Sequence, residues 1–438
     1  MSLAAHTTAA QTAAYLRTLP AIRERCTRVF ELAKQGKLQY FEYHPENEDK
    51  VTAFCVDIIK RDYGTDFAQI RPHGRWRHLD SHHERIAPLV AKWASESTPP
   101  TTFEVTKRLI DLFMVAVLLD AGAGTQWAYT EPGSGVRFSR SEGLGVAAVH
   151  MFESGLFSGD PAQPYRVDAD GLGQLTAAQI ATGLQVTPEN PLVGLEGRAS
   201  LLTNLADALR ASPEFFGADA RPGNLIDFLG AQSAPPSDSN KRQVPVAALW
   251  AALVDGLQPI WPPARTALGG LPLGDVWPCP ALALTQSSQA QGDDLVPFHK
   301  LTGWLAYSLM EPLQVYLGWH FEGTEDMTGL PEYRNGGLFL DLGVLALRAS
   351  PLDAESLPTD AAGVPRIPPS HPAVVEWRAM TVVLLDRTLT ALRAALPAPE
   401  LTLPQVLESA TWKGGREIAQ TKRGGGPPVD IVSDGTVF

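Results

Sequence analysis

Apolar positions recur at helical spacing along most of this chain. Residues 11–35 are rich in Ala, Leu and Arg, with Leu16, Ile22 and Leu32 set among charged positions. From Glu48 to Tyr63, the apolar residues Val51, Phe54, Val56, Ile58 and Ile59 fall mostly on helical spacing. Pro99 and Pro100 then stop the chain. Beyond them, Thr102 is placed to cap a helix from about Glu104 to Asp120, ended by Gly122. The middle of that helix is apolar almost all round, which predicts deep burial. Helices are also predicted over 142–156, Ser200–Ala211, Val246–Leu257, Thr302–Trp319 and Pro372–Leu396; Pro372, following Ser370 and His371, is a good helix opening. Alternating strand patterns are rare, and Gln39–Tyr43 and Val429–Val432 are the best short candidates. The expected fold class is mainly α with minor β content.

Three segments punctuate this pattern: the polar Ser233–Asn240, the Pro/Asp/Ala-rich Leu352–Ser370 and the glycine-rich Gly424–Pro428. None is long enough to read as an interdomain linker, and no repeat of fixed period occurs. The expectation is one domain over 1–438, with 1–35 as an N-terminal helical extension and 36–438 as the core. Two helical lobes around a cleft would fit within it.

Composition narrows the function. The formal net charge is −12, which argues against a nucleic-acid surface, since phosphate contacts along a duplex need clustered Lys and Arg. A small anionic ligand needs only two or three local cations and stays open. The three cysteines, Cys26, Cys55 and Cys279, form no CxxC pair. A disulfide framework and a thiolate zinc site are therefore not expected, and reduced, cytoplasmic thiols are. The first residues lack a basic stretch followed by an apolar core, so no secretory signal is read. The longest apolar run, Leu112–Leu119, is far short of a membrane span.

Five constellations could carry chemistry. Arg71–His83 holds four histidines and three arginines. His78 and His82 are spaced i, i+4 and could share one ion, but a helix entry with Trp76 buried accounts for the segment more simply, and no metal is expected. Asp120-Ala-Gly122-Ala-Gly124 leads into Trp127 and Tyr129, aromatics that could stack on a planar group; Glu142 follows nearby. Asp120 could equally cap or pair locally, with Trp127 filling core. Glu196 and Arg198 stand at the start of a helix, where backbone N–H groups bind anions; Glu196 could accept from sugar hydroxyls or simply cap. Lys300 lies at another helix start, unfavourable for the dipole unless an anion or Asp293 and Asp294 offset it. Lys413 and Arg416 sit on a glycine-rich stretch that could embrace a phosphate or be a solvated basic tail.

The most unusual segment is Leu330-Pro-Glu332-Tyr333-Arg334-Asn-Gly336-Gly337, which continues to Asp341. An acid, an aromatic and a cation interrupt an apolar stretch, and the glycine pair would let a backbone approach a ligand closely. Alternatively, Arg334 pairs with Glu332 or Asp341 and only closes a loop. No G-x-S-x-G elbow, Walker or flavin motif is present, so carboxylates, cations and aromatics remain, a set suited to acid/base hydrolysis of a phosphorylated small molecule.

Taken together, DAGAGTQWAYTE with RSEGLGVAAVHMF, ENPLVGLEGRASLL, GDVWPCP, PFHKLTGWLAYSLMEPLQ, GLPEYRNGGLFLDLGVL, HPAVVEWRAMTVVLLD and SDGTVF resemble the uracil-catabolism protein family of bacteria and fungi, long known only as a domain of unknown function. The resemblance runs from about Tyr40 to Phe438. It implies a step on a urea-bearing ribose phosphate, cleavage of the N-ribosyl bond to urea and ribose 5-phosphate. PFHKLTGW and LPEYRNGGLFLDLGVL also resemble the queuosine-phosphate glycosidase family. That likeness implies a DNA-glycosylase-like helical core and places Glu332-Tyr333-Arg334 where an acid-Tyr-Arg trio stands. This chain has Glu where Asp is usual, and Gly336-Gly337 where Pro-Gln is expected.

Such a cleavage passes through an oxocarbenium-like transition state. The catalytic candidates are Glu332 first, then Asp341 and Asp120, with Glu142 or Glu196 protonating the leaving urea. Tyr333, Arg334, Lys300, Trp127, Tyr129, Arg198, Lys413 and Arg416 are the substrate-binding candidates, and no cofactor is called for. The expected partner is a phosphorylated ribosyl small molecule rather than nucleic acid or membrane. Other classes fitting the same residues are a non-catalytic sensor of a uracil-derived nucleotide and a lyase or deaminase acting on the opened pyrimidine.

Overall fold

The computed structural model describes residues 8–233, 241–284 and 291–432; most of the polar Ser233–Asn240 segment and the closing SDGTVF lie outside them. Its contacts divide the chain into two units. One takes residues up to His73, Pro263–Lys300 and Glu325–Val432; the other takes Gly74–Pro262 and Leu301–Thr324. Both are mainly helical, with small two-stranded sheets. No helix among the described residues is long and apolar enough to cross a membrane.

In the first unit, the helical stretch read over 11–35 is two helices, Ala9–Leu16 and Leu19–Lys34. Thr8 closes a capping box with Gln11 on the first. Thr18 turns extended and Pro20 opens the second, because proline suits a first turn whose N–H groups are unpaired anyway. The Leu19–Lys34 helix packs along Pro372–Ala395, with Arg23 Nε on Asp386 at 2.7 Å. Glu48–Tyr63 forms as expected. Phe41–Tyr43 pairs antiparallel with Leu345–Leu347, and Asp430–Ile431 pairs parallel with Arg366–Ile367, so both predicted strand segments are found. Val276–Pro278 pairs with Leu295–Pro297.

In the second unit, the apolar helix is Thr102–Leu118, and its cap is Thr101 rather than Thr102. Pro99-Pro100 keeps the chain extended into Thr101, whose hydroxyl can then accept from Glu104 N. Its burial is as predicted, and even Asp111 is enclosed. That charge is matched by Arg221 at 2.7 Å and by the N–H of Gly223 at 2.7 Å, as a buried carboxylate requires. The remaining helices of this unit include Arg140–Glu153, Leu195–Ala211 and Val246–Gly256. Lys300–Leu317 keeps Pro312 inside it.

The histidine-rich segment does not form the i, i+4 pair. Its helix is a single turn, Trp76–Leu79, so His82 falls on the following loop with a left-handed φ of 66°, and the two rings share no helical face. Trp76 is buried, as the simpler reading required.

Candidate active site

In the first unit, the polar segment becomes a short helix, Tyr333–Asp341, with Glu332 as its N-cap. The two carboxylate oxygens of Glu332 accept from Arg334 N at 2.7 Å and Asn335 N at 2.6 Å. This fixes the acid at the positive end of the helix. Two helices then clamp the element. A Cβ on Gly336 would lie 2.7 Å from the Trp377 indole nitrogen, and one on Gly415 would lie 2.1 Å from the Arg334 carbonyl oxygen. Trp377 Nε1 donates to Gly336 O at 3.0 Å. Gly337 faces Pro428. The glycines therefore serve helix packing, not close approach to a ligand, which corrects the sequence expectation. Gly415→Ala has to push one backbone off another, so it is expected to cost about 1–3 kcal/mol or more; chemical denaturation measures this.

Glu332 lies deep in the fold, yet part of its surface stays accessible. Burial raises its carboxyl above the ordinary range; the N–H groups of Asn335 and Arg334 and the charges of Lys300 and Arg334 pull it back. The Arg334 guanidinium lies 4.5 Å over the Tyr333 ring, and its Nη1 donates to Gly425 O at 3.2 Å. Among the described residues it makes no ion pair with Glu332 or Asp341.

Asp341 is instead held by Arg423, both oxygens at 2.5 Å. A bidentate partner thus engages both oxygens of this carboxylate. Lys413 is paired with Asp62, whose carboxyl Arg61 and Lys413 hold down at about 2 despite partial burial. Arg416 lies 4.8 Å over the Trp412 ring.

Sequence reasoning missed the pair that organises this unit. Asp275, wholly buried, takes both Nη atoms of Arg378 at 2.7 and 2.8 Å, and also accepts from Trp277 Nε1 and from Lys300 N at 2.9 Å. Burial opposes its charge, but Arg378 and these donors keep the carboxyl far below the usual range. Arg378 lies 4.1 Å over the Phe298 ring, and its Nε donates to Pro331 O at 3.2 Å. One guanidinium thus ties the start of the Lys300 helix to the residue before Glu332. Asp275, not Asp293 or Asp294, is the carboxylate at that helix start; Asp293 lies near Arg25 and Arg28. His299, just before Lys300, has φ 46°, a strained conformation for a residue with a Cβ.

The second unit holds the other candidates. Arg198 is fully buried, and its guanidinium donates to the carbonyls of Leu119 (2.9 Å), Ala121 (2.7 Å), Gly122 (3.2 Å) and Val193. Leu119, Ala121 and Gly122 stand at and beyond the C-terminus of the Thr102–Leu118 helix, where positive charge is favoured. Burial lowers the guanidinium to about 10. Arg198 thus acts as a strut between these backbone segments. Trp127 is also core: it is 1% exposed and donates to Leu184 O at 2.9 Å. Tyr129 is buried and stacks on His150; burial, then Glu131, raises its phenol to about 12. Tyr129 and His150 help to line a cavity of about 500 Å³ with Met151, Gln179 and Gln185. Glu196 is exposed in the first turn of Leu195–Ala211, where an acid suits the dipole. Asp120 and Glu142 gather about Arg75. Arg75 Nη1 reaches Asp120 at 2.9 Å and the Ser141 carbonyl at 3.1 Å. The close fit of Gly145 to the His78 backbone brings the Arg140–Glu153 helix to this point.

Comparison with known proteins adds what geometry alone does not. The chain is 41% identical over 437 residues to "Uracil catabolism protein 4" of Lachancea kluyveri, covering 97% of this chain and 98% of that protein. It is 41% identical over 435 residues to "Protein urg3" of Schizosaccharomyces pombe, covering 98% and 99%. The family described as "Protein of unknown function (DUF1688)" matches residues 15–438. With a match of that extent and two full-length relatives of this similarity, the chain belongs to the DUF1688 family.

Proposed function

We propose that this protein acts in uracil catabolism, hydrolysing the N-ribosyl bond of ribosylurea 5-phosphate to urea and ribose 5-phosphate. The observation that carries the reading is Glu332: a largely buried carboxyl with a raised pKa, fixed at a helix N-terminus, with Lys300 and Arg334 near enough to act on it. Likeness to a uracil catabolism protein supports the pathway.

Urea is a poor leaving group unless it is protonated. Protonated Glu332 gives its proton to the ureido oxygen as the C1–N bond breaks with its electron pair going to nitrogen. Isourea leaves and tautomerises to urea, and positive charge develops at the anomeric carbon. The resulting Glu332 carboxylate faces that charge, takes a proton from water, and the water oxygen bonds to C1. One acid thus completes the cycle, consuming one water. Lys300 and Arg334 hold the 5-phosphate, and Tyr333 covers the sugar. Asp120 and Glu142 are assigned no step.

The pH dependence follows with a definite sign. The acid form of Glu332 starts the reaction, and its pKa is raised above the usual 4.5 by burial. The rate should therefore be highest below that raised value and fall about tenfold per pH unit above it. A kcat/KM profile with ribosylurea 5-phosphate checks this, and a flat or rising alkaline limb would rule out Glu332 as the acid. Incubating the pure protein with the same compound and assaying urea tests the reaction itself. Melting that shifts with ligand but without turnover would favour a non-catalytic sensor.

A further inference from the structure

The cavity of about 500 Å³ lies wholly within the second unit, and the reaction proposed above does not use it. Its walls come from the Ala128–Thr130 strand, the end of the Arg140–Glu153 helix and the Ala177–Gly183 helix. Gly183 lets these two helices meet, since a Cβ there would overlap the Met151 side chain.

Most polar groups on the lining are engaged within the protein. Ser154 Oγ donates to Met151 O at 2.7 Å, and Thr182 Oγ1 to Ala178 O at 2.9 Å. Gln185 spends both ends of its amide on the Thr130 backbone, at 2.8 and 2.9 Å. Two donors are left over among the described residues, Gln179 Nε2 and the Tyr129 hydroxyl. Gln179 is exposed, so water serves its nitrogen. Tyr129 is only 3% exposed, and its hydroxyl has neither a protein partner nor a complete seal from solvent. Burial, then Glu131, raises the phenol to about 12, so it keeps its proton and stays a donor.

Charge and shape narrow the ligand. No Asp, Glu, Lys or Arg lines the cavity. Glu131, 3.4 Å from His150 Nε2, is buried and matched by Arg85 at 2.7 Å. A charged ligand would therefore lose hydration without gaining a counter-charge. Tyr129 and His150 are stacked, with centroids 6.0 Å apart and planes 28° from parallel. Rings and a thioether on one lining favour a flat aromatic guest. Apolar walls with a single buried donor are the usual make-up of a small-molecule site.

We propose that this cavity binds a neutral aromatic ring carrying a carbonyl group. The ring packs against Tyr129, His150 and Met151, and the carbonyl oxygen accepts from the Tyr129 hydroxyl. The site stands apart from Glu332 and from the ribosylurea reading.

The test titrates the full chain with benzamide, benzoate and cyclohexanecarboxamide, read by ligand-observed NMR. Benzamide should saturate. Benzoate keeps the ring but brings a charge, and cyclohexanecarboxamide keeps the amide but loses the flat ring. Each should bind about tenfold or more weakly than benzamide. Tyr129→Phe keeps the stack and removes the donor, and should weaken benzamide about fivefold or more. Ala178→Phe, at an exposed position on the lining, should fill the space and abolish saturation with thermal melting unchanged; it carries the test if Tyr129→Phe does not fold. No saturable benzamide binding to wild type would overturn the proposal. So would benzoate or cyclohexanecarboxamide binding as tightly as benzamide, or benzamide affinity unchanged in either folded variant.

Discussion

Replacing Arg378 with methionine is expected to remove about 3–5 kcal/mol of stability, the cost of leaving one member of a buried ion pair without its partner. Asp275 would remain wholly buried, with only the Trp277 indole and the Lys300 N–H to satisfy a charge that Arg378 now meets with two hydrogen bonds. The loss would reach further than the pair, because the same guanidinium holds the Pro331 carbonyl and lies over Phe298. Equilibrium unfolding in denaturant measures the effect. A change below about 1 kcal/mol would mean that the pair is dispensable. The double replacement of Asp275 and Arg378 by apolar residues should cost less than Arg378→Met alone, since no charge is then left buried. That ordering separates the charge effect from lost packing.

Glu332→Gln carries the second large effect. An amide can neither give the proton to the leaving ureido group nor take one from water. Turnover should fall by about 10²–10⁴, the usual contribution of general acid–base catalysis. The amide also turns an NH₂ toward one of the backbone N–H groups that the carboxylate now accepts. A parallel loss of about 1 kcal/mol from the weakened N-cap is therefore expected. Thermal melting records that loss separately, so a folded but inactive variant assigns the chemistry and an unfolded one does not. Normal turnover by Glu332→Gln would remove Glu332 from the reaction.

Helices were the legible part of the sequence. Val51, Phe54, Val56, Ile58 and Ile59 mark Glu48–Tyr63, and its bounds agree with the folded element. The apolar run before Asp120 announced a buried helix, because a stretch with no polar face has no solvent side to present. The break at Arg17–Thr18 was not legible, since helical composition continues across it and only Pro20 gives a local signal.

The site was legible as a set of residue types and less so as roles. Glu332 stood out as a charge in an apolar stretch, and it caps the Tyr333–Asp341 helix. The meaning of its glycine pair depended on partners far along the chain, Trp377 and Pro428, which no local pattern reveals. The same holds for Asp341, whose partner Arg423 comes from another helix, and for Arg198, whose charge is spent on backbone carbonyls that have no sequence signature. Asp275 and Arg378 were passed over because each lies in a largely apolar segment. Their only signal was that such a charge must be paired when buried.

Release of urea from synthetic ribosylurea 5-phosphate tests the central claim most directly. The purified wild-type chain should produce urea and ribose 5-phosphate in equal amounts, with the rate lost in Glu332→Gln. Binding of the compound with no urea formed, or formation of ammonia in its place, would contradict the account.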